Sequence, residues 1–266
     1  MPRDALFDVS RHVVLVSGGT RGIGRAIAAA FAERGARVIL TGRHATAAQE
    51  TAAALSTDKH PVEGEACDVS DPNAIKALVE SVHQRHGRID TLVNVAGVNR
   101  RKPASDVTEE DYDFILDINL KGAFLMAQAV GRVMCKQGEG SQIHISSLNN
   151  DRPLKNVGPY AMSKAALGHM TRVLAMEWGP HGVRVNALAP GFVLTDLTRK
   201  LWSDPTMQAW GRANTPLGRL GEPVDMVGTA LFLASNASAF MTGQILFVDG
   251  GFTAGWAWPI PSGGGQ

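Results

Sequence analysis

Residues 12–35 read HVVLVSGGTRGIGRAIAAAFAERG, and this stretch decides the fold. A short β-branched run, 12–17, gives way to glycines spaced GxxxGxG at Gly18, Gly22 and Gly24. Apolar residues then recur at helical spacing until Gly35 supplies a stop. Strand, glycine turn and helix in that order bring backbone amides and the positive end of a helix to one point, where a diphosphate can be held. Glycines in a turn also make plain loops, so it is their position between strand and helix that favours the phosphate reading.

Working outward, the unit repeats. Strands read at 37–41, near 62–66, and at 90–97, 142–147, 183–190 and 244–251, with helices at about 45–55, 73–86, 109–136, 159–178 and 222–235 between them. This alternation predicts an α/β fold, a Rossmann-type doubly wound parallel sheet of about seven strands with both faces covered. No internal repeat or Pro/Ser-rich linker divides the chain, so residues 1–266 read as a single domain. Two segments lie outside the alternation. The stretch 194–214, with Trp202 and Trp210, is expected to be a substrate lid, its tryptophans packing it down or stacking on a sugar; the tail 252–266, with Trp256, Trp258 and Pro259, is a candidate contact with a neighbouring subunit.

Composition narrows the function classes. The 26 Lys+Arg balance 25 Asp+Glu, leaving no basic excess to draw in nucleic acid or an anionic membrane. Cys67 and Cys135 have neither CxxC nor zinc spacing, which reads as reduced thiols in a cytoplasmic protein. The start MPRDALFDVSRH has no apolar stretch of the kind a signal peptide needs, and charged or polar residues interrupt the later apolar runs, so neither export nor a membrane segment is expected. His83 and His86 form a close pair without an acidic cluster, so no metal site is expected either.

The end of the second strand reads Thr41-Gly42-Arg43. An acidic residue there would accept hydrogen bonds from an adenosine ribose and repel a 2′-phosphate; Gly42 removes the repulsion, while Arg43, with Arg21 from the glycine turn, offers cations. NADP(H) is therefore the preferred cofactor, with NAD(H) possible. Farther on, Tyr160 and Lys164 are four apart at the start of a helix and share one face. Ser147 ends a strand 13 residues before Tyr160, at the rim where parallel strands gather their C-terminal ends. An ammonium beside a tyrosine favours the phenolate and brings its titration toward working pH.

These residues, with Asp68, the stretch Asn94-Val95-Ala96-Gly97, Asn119, and Pro190-Gly191 followed by Thr195, resemble the short-chain dehydrogenase/reductase family over nearly the whole chain. The resemblance implies an NAD(P)-dependent enzyme acting on a small molecule. Tyr160 would be its acid/base, Ser147 a donor to the substrate carbonyl, Lys164 a contact to the nicotinamide ribose, and Asn119 the holder of a relay water. It further implies cofactor contacts from Gly18, Thr20, Arg21, Gly22, Ile23, Gly24 and Arg43, from Asp68, Val69, Asn94 and Gly97, from Tyr160 and Lys164, and from Pro190, Gly191, Val193 and Thr195. A homotetramer is implied as well, built on the 109–136 helix, the helix from Tyr160 and the last strand. Two positions depart from the family pattern: Ser17 stands where Thr is common, and Val95 replaces the second Asn of NNAG.

Within the family, AGVNRRKP (96–103), DPTMQAW with TPLGRLGEP (204–223) and the closing TGQILFVDGGFTAG are most similar to gluconate 5-dehydrogenases. That similarity implies a sugar acid such as gluconate/5-ketogluconate. The residues offer Arg101 first, and Arg100 second, as a carboxylate clamp, unless RRK is a solvated charge run. Two rivals stand beside this reading. One is a 3-oxoacyl thioester (acyl-carrier-protein) reductase with the same catalytic residues; the other is a non-enzymatic NADP(H)-sensing protein on the same fold.

Overall fold

The computed structural model describes residues 4–58 and 60–256. Among them, β1 (Val13–Ser17), β2 (Arg37–Gly42), β3 (Val62–Ala66), β4 (Thr91–Asn94), β5 (Gly140–Ile145), β6 (Val183–Pro190) and β7 (Ile245–Val248) form one parallel sheet in the order β3-β2-β1-β4-β5-β6-β7. The helices are α1 (Gly22–Glu33), α2 (Ala45–Leu55), α3 (Pro72–His86), α4 (Glu109–Leu116), α5 (Ala123–Gln137), α6 (Gly158–Trp178), α7 (Arg199–Trp202), α8 (Pro205–Ala213) and α9 (Val227–Ala234). Strand order reverses between β1 and β4, so the chain winds outward in both directions and opens a crevice at their C-terminal ends.

Alternation along each central strand feeds two cores. Val14 and Val16 of β1 join Ile27 and Phe31 of α1, Ala48 and Ala52 of α2 and Leu233 of α9. Val13 and Leu15 face the other way, onto α3, α5 and α6 through Val79, Val130 and Leu174. Local signals explain the helix limits. Asp71 caps α3 with Pro72 at its first position, Gly87 ends it in the left-handed region at φ 74°, and Thr108 and Asp111 form a capping box on α4.

The anticipated elements are present, with three differences. β4 stops at Asn94 because the N–H groups of Val95 and Ala96 both donate to the Ser17 carbonyl and turn the chain out of the sheet. The 109–136 helix is interrupted by a π turn at Asp117–Gly122. There a Cβ on Gly122 would lie 2.4 Å from the Val69 carbonyl oxygen, so glycine allows helix and loop backbones to touch. The helix predicted from 222 begins as a 3₁₀ turn, Pro223–Met226. By length and composition Glu109–Gln137 is long and apolar enough to cross a membrane, but half of its apolar stretch is buried within the domain, where α5 packs on β4, β5 and α3.

Candidate active site

The crevice is lined first by the β1–α1 turn. Gly18 has φ +83°, and a Cβ there would sit 2.7 Å from the Ala96 nitrogen; Gly22 has φ +53°. Both conformations suit glycine. Arg21, at the N-cap of α1, contributes no side-chain cap, so the first-turn amides of α1 stay free of side-chain partners. Gly18, Thr20, Arg21, Gly22 and Ile23 face the crevice, but Gly24 does not. A Cβ on Gly24 would fall 2.1 Å from the Gly18 carbonyl oxygen, so Gly24 lets the helix pack against its own turn.

Arg43, Asp68 and Val69 continue this wall. The Asp68 carboxyl is held below the usual range chiefly by hydrogen bonds from the Ser70 N–H and hydroxyl, and also by the charge of Arg43. Cys67, which sequence reasoning treated only as a thiol, lines the crevice too, and burial pushes its thiol up to about 11. Asn94 is outside: its Nδ2 donates to the Ala123 carbonyl at 2.9 Å and ties β4 to α5.

The opposite wall carries Ser147, Tyr160, Lys164 and Gly97. β5 ends two residues before Ser147, whose Oγ accepts from the Asn149 N–H and so caps the 3₁₀ turn Leu148–Asn150. The Ser147 and Tyr160 side chains line the same crevice. Burial raises the Tyr160 phenol above its ordinary value, opposed by the nearby Ser147 hydroxyl and by the charge of Arg101. Sequence reasoning gave this opposing role to Lys164. Instead the Lys164 Nζ donates to the Ile145 carbonyl at 2.8 Å, 5.8 Å from the Tyr160 ring centre, and burial lowers the Lys164 ammonium to about 8.

Asn119 lies in the π turn and beneath this wall. Its Oδ1 accepts from the Val98 N–H at 2.8 Å, and its Nδ2 donates to the Val98 carbonyl at 2.9 Å and to the Ser163 hydroxyl at 3.2 Å. The side chain expected to hold a relay water is thus committed to pinning the loop after β4. A Cβ on Gly97 would be 3.4 Å from Asn119 Oδ1 and 3.6 Å from Lys164 Nζ, so this glycine separates the two groups.

Arg100 and Arg101, expected at the rim, are not among the residues that line the crevice, and they have opposite surroundings. Arg100 donates to Asp111 at 2.9 Å and lies 4.0 Å over the Phe114 ring; Lys102 also contacts Asp111. Arg101 is exposed and, among the described residues, makes no hydrogen bond or ion pair. Pro190, Gly191, Val193 and Thr195 close the crevice with Asp196, Leu197 and Thr198, which belong to the segment expected to be the lid. Behind them Phe192 packs edge-on against Trp202 at 5.2 Å and Phe252 at 4.7 Å, with Trp210 at 5.5 Å, so both tryptophans pack the 194–214 segment onto the domain. Trp258 and Pro259 lie outside the described residues. Asn149 and Ser163 were also missed; their signal was a short polar side chain within three residues of Ser147 or Tyr160, which becomes informative only once the turns are known.

The family model described as enoyl-(acyl carrier protein) reductase matches residues 18–253. Gluconate 5-dehydrogenase of Gluconobacter oxydans is 36% identical over 253 residues, covering 95% of this chain and 99% of that protein. D-threitol dehydrogenase of Mycolicibacterium smegmatis is 41% identical over 247 residues, 93% of this chain and 95% of that one. Among solved structures, a gluconate 5-dehydrogenase from Burkholderia cenocepacia in complex with NADP and tartrate superposes with a TM-score of 0.92 at 35% identity, covering 94% of this chain and 98% of that chain. The chain therefore belongs to the short-chain dehydrogenase/reductase family and is an oxidoreductase of the kind that interconverts a secondary alcohol and a ketone.

Proposed function

We propose that this enzyme acts on a polyhydroxy acid of the gluconate/5-ketogluconate type, with NADP(H) as its cofactor. Arg101 carries the substrate reading. It is an exposed guanidinium without a partner among the described residues, and it is near enough to Tyr160 for its charge to act on that hydroxyl. A carboxylate is the natural partner of such a group. The tartrate in the B. cenocepacia relative is also a small hydroxy acid. The D-threitol relative favours a second reading, a neutral polyol.

The crevice fits a dinucleotide bearing a 2′-phosphate. The α1 amides have no side-chain cap, Gly18 and Gly22 adopt glycine conformations, Gly42 leaves no carboxylate at the end of β2, and Arg21 and Arg43 line the same wall. In this reading Gly18, Thr20, Arg21, Gly22 and Ile23 hold the diphosphate, and Arg21 with Arg43 holds the 2′-phosphate. Asp68 and Val69 bound the adenine. Lys164, Gly97, Pro190, Gly191, Val193 and Thr195 position the nicotinamide half, with residues 194–214 as the lid.

When bound, the cofactor supplies or accepts the hydride. Tyr160 gives its proton to the substrate oxygen in reduction and recovers it in oxidation; burial keeps the phenol protonated, which suits donation. Ser147 donates a hydrogen bond to the same oxygen. Asn119 holds the Val98 loop in place below them, so any relay water at residue 119 falls to its main chain.

A homotetramer is supported by exposed apolar side chains on α4, α5 and α6, among them Tyr112, Phe124, Val173 and Met176. Free Cys67 and Cys135 support a reducing, cytoplasmic setting. NADPH oxidation measured with 5-ketogluconate, a neutral keto-tetrose and a 3-oxoacyl thioester tests the substrate. The acid should give the highest kcat/KM, and a preference for the thioester or the neutral sugar would overturn the reading.

A further inference from the structure

A serine hydroxyl has one proton to donate and two lone pairs to accept with. On Ser147 both lone pairs are taken by one residue: the Asn149 N–H donates to Oγ at 3.1 Å and its side-chain Nδ2 at 3.2 Å. The orientation of the Asn149 amide is fixed independently. The Leu154 N–H donates to Oδ1 at 3.1 Å, and a backbone N–H can only donate, so the NH₂ group has to face Ser147. Asn149 is 7% exposed, which shields this arrangement from exchange with water. The single proton of Ser147 is left pointing away from Asn149, and Ser147 lines the crevice together with Tyr160.

We propose that Asn149 is a positioning residue that makes Ser147 a one-way hydrogen-bond donor, toward Tyr160 in the free enzyme and to the reacting oxygen when substrate is bound. This rests on the roles of Ser147 and Tyr160 proposed above. Asn149→Asp isolates the effect. The aspartate keeps an oxygen for the Leu154 N–H but presents an acceptor to Ser147, so the serine proton turns toward residue 149. Asn149→Ala removes the donor without adding an acceptor.

The chain has two tyrosines, and Tyr112 is exposed on α4, so Tyr112→Phe leaves Tyr160 as the only tyrosine. Tyrosinate absorbance can then follow Tyr160 directly, with neither cofactor nor substrate. In this background Asn149→Asp should raise the Tyr160 midpoint by about half a pH unit or more. In a Ser147→Ala background the rise should be at most half as large. An equal rise in both backgrounds would show that the new charge acts without the serine, and no rise would show that Asn149 does not direct it; either result overturns the proposal.

Kinetics supply the second readout. At pH 8, Asn149→Asp should lower kcat for 5-ketogluconate reduction about tenfold or more, and Asn149→Ala by less, with KM for NADPH unchanged. If Asn149→Ala were the worse variant, the residue would only fill space and the proposal would fail. Should Tyr160→Phe keep its activity, or 5-ketogluconate not react, the functional reading fails while the absorbance titration still decides the role of Asn149.

Discussion

Along the wall built from β5, α6 and the π turn, Ser147, Lys164 and Asn119 are 6%, 4% and 1% exposed, and each is hydrogen-bonded inside the chain. Along the facing wall, at the β1–α1 turn and the end of β2, Arg21 and Arg43 are exposed and, among the described residues, their side chains make no hydrogen bond. The first wall has its polar groups desolvated and oriented before substrate arrives, the arrangement that stabilises a transition state most effectively. The second keeps its cations in water, where they attract an anion weakly and subject to salt. In the proposed reading, chemistry and cofactor choice are thus built with different means, and substitutions on the two walls should differ in size and in salt dependence.

The largest effect is expected on the buried wall. Tyr160→Phe removes the transferable proton and keeps the ring, so kcat should fall at least about 10²-fold while NADPH binding, measured by fluorescence titration, is kept. Near-native turnover would show that another group carries the proton. Arg101→Ala should cost roughly 10- to 150-fold in kcat/KM for an acid substrate and little for a neutral one, the range for a lost charge-assisted contact. Equal losses on both substrates would mean that Arg101 is structural and would remove the carboxylate clamp.

Much of both walls is legible in the sequence, because close approach and helical spacing leave local marks. Gly18 has to be small beside Ala96, and Tyr160 with Lys164 shares a helix face by spacing alone. What is not legible depends on chain segments that meet only in three dimensions. Arg100 and Arg101 are adjacent and identical in type; α4 brings Asp111 to one and not the other. Asn94 reads as a crevice residue until α5 supplies the Ala123 carbonyl that turns its amide inward. Asn149 gains meaning only when the chain folds back to set the Leu154 N–H against it. The π turn at Asn119 likewise sits where Gly122 closely approaches Val69, a contact that helical periodicity does not encode.

A smaller effect is expected on the exposed wall. Arg43→Ala should raise KM for NADPH by about tenfold and leave KM for NADH nearly unchanged, since only NADPH has a 2′-phosphate. The difference should narrow as ionic strength rises, because exposed charges are screened. A parallel loss for both cofactors, or a difference indifferent to salt, would place Arg43 with the structural residues and blur the distinction between the walls.

The smallest expected effect concerns stability, and its sign follows from burial. Lys164 titrates at about 8 in the folded chain, against an ordinary value near 10.5, because burial penalises its ammonium. Below pH 8 both folded and unfolded forms carry the proton and the cost of burying the charge is fully present. Between about 8 and 10.5 the unfolded chain holds a proton that the folded one has released, so this residue's contribution to stability rises with pH. Above that range both forms are neutral and the cost is gone. Lys164→Met keeps the length of the side chain without the charge and has no such slope. The loss of its hydrogen bond to Ile145 shifts the variant's stability by an amount that does not follow the titration. The difference in Tm, variant minus native, should therefore be greatest near pH 7 and fall by roughly a few °C by pH 10.5, whatever its absolute value. Groups common to both proteins cancel in the difference. A difference that stayed flat across this range in thermal unfolding followed by circular dichroism would mean that Lys164 bears no burial cost, and the buried wall would lose the property that sets it apart from the exposed one.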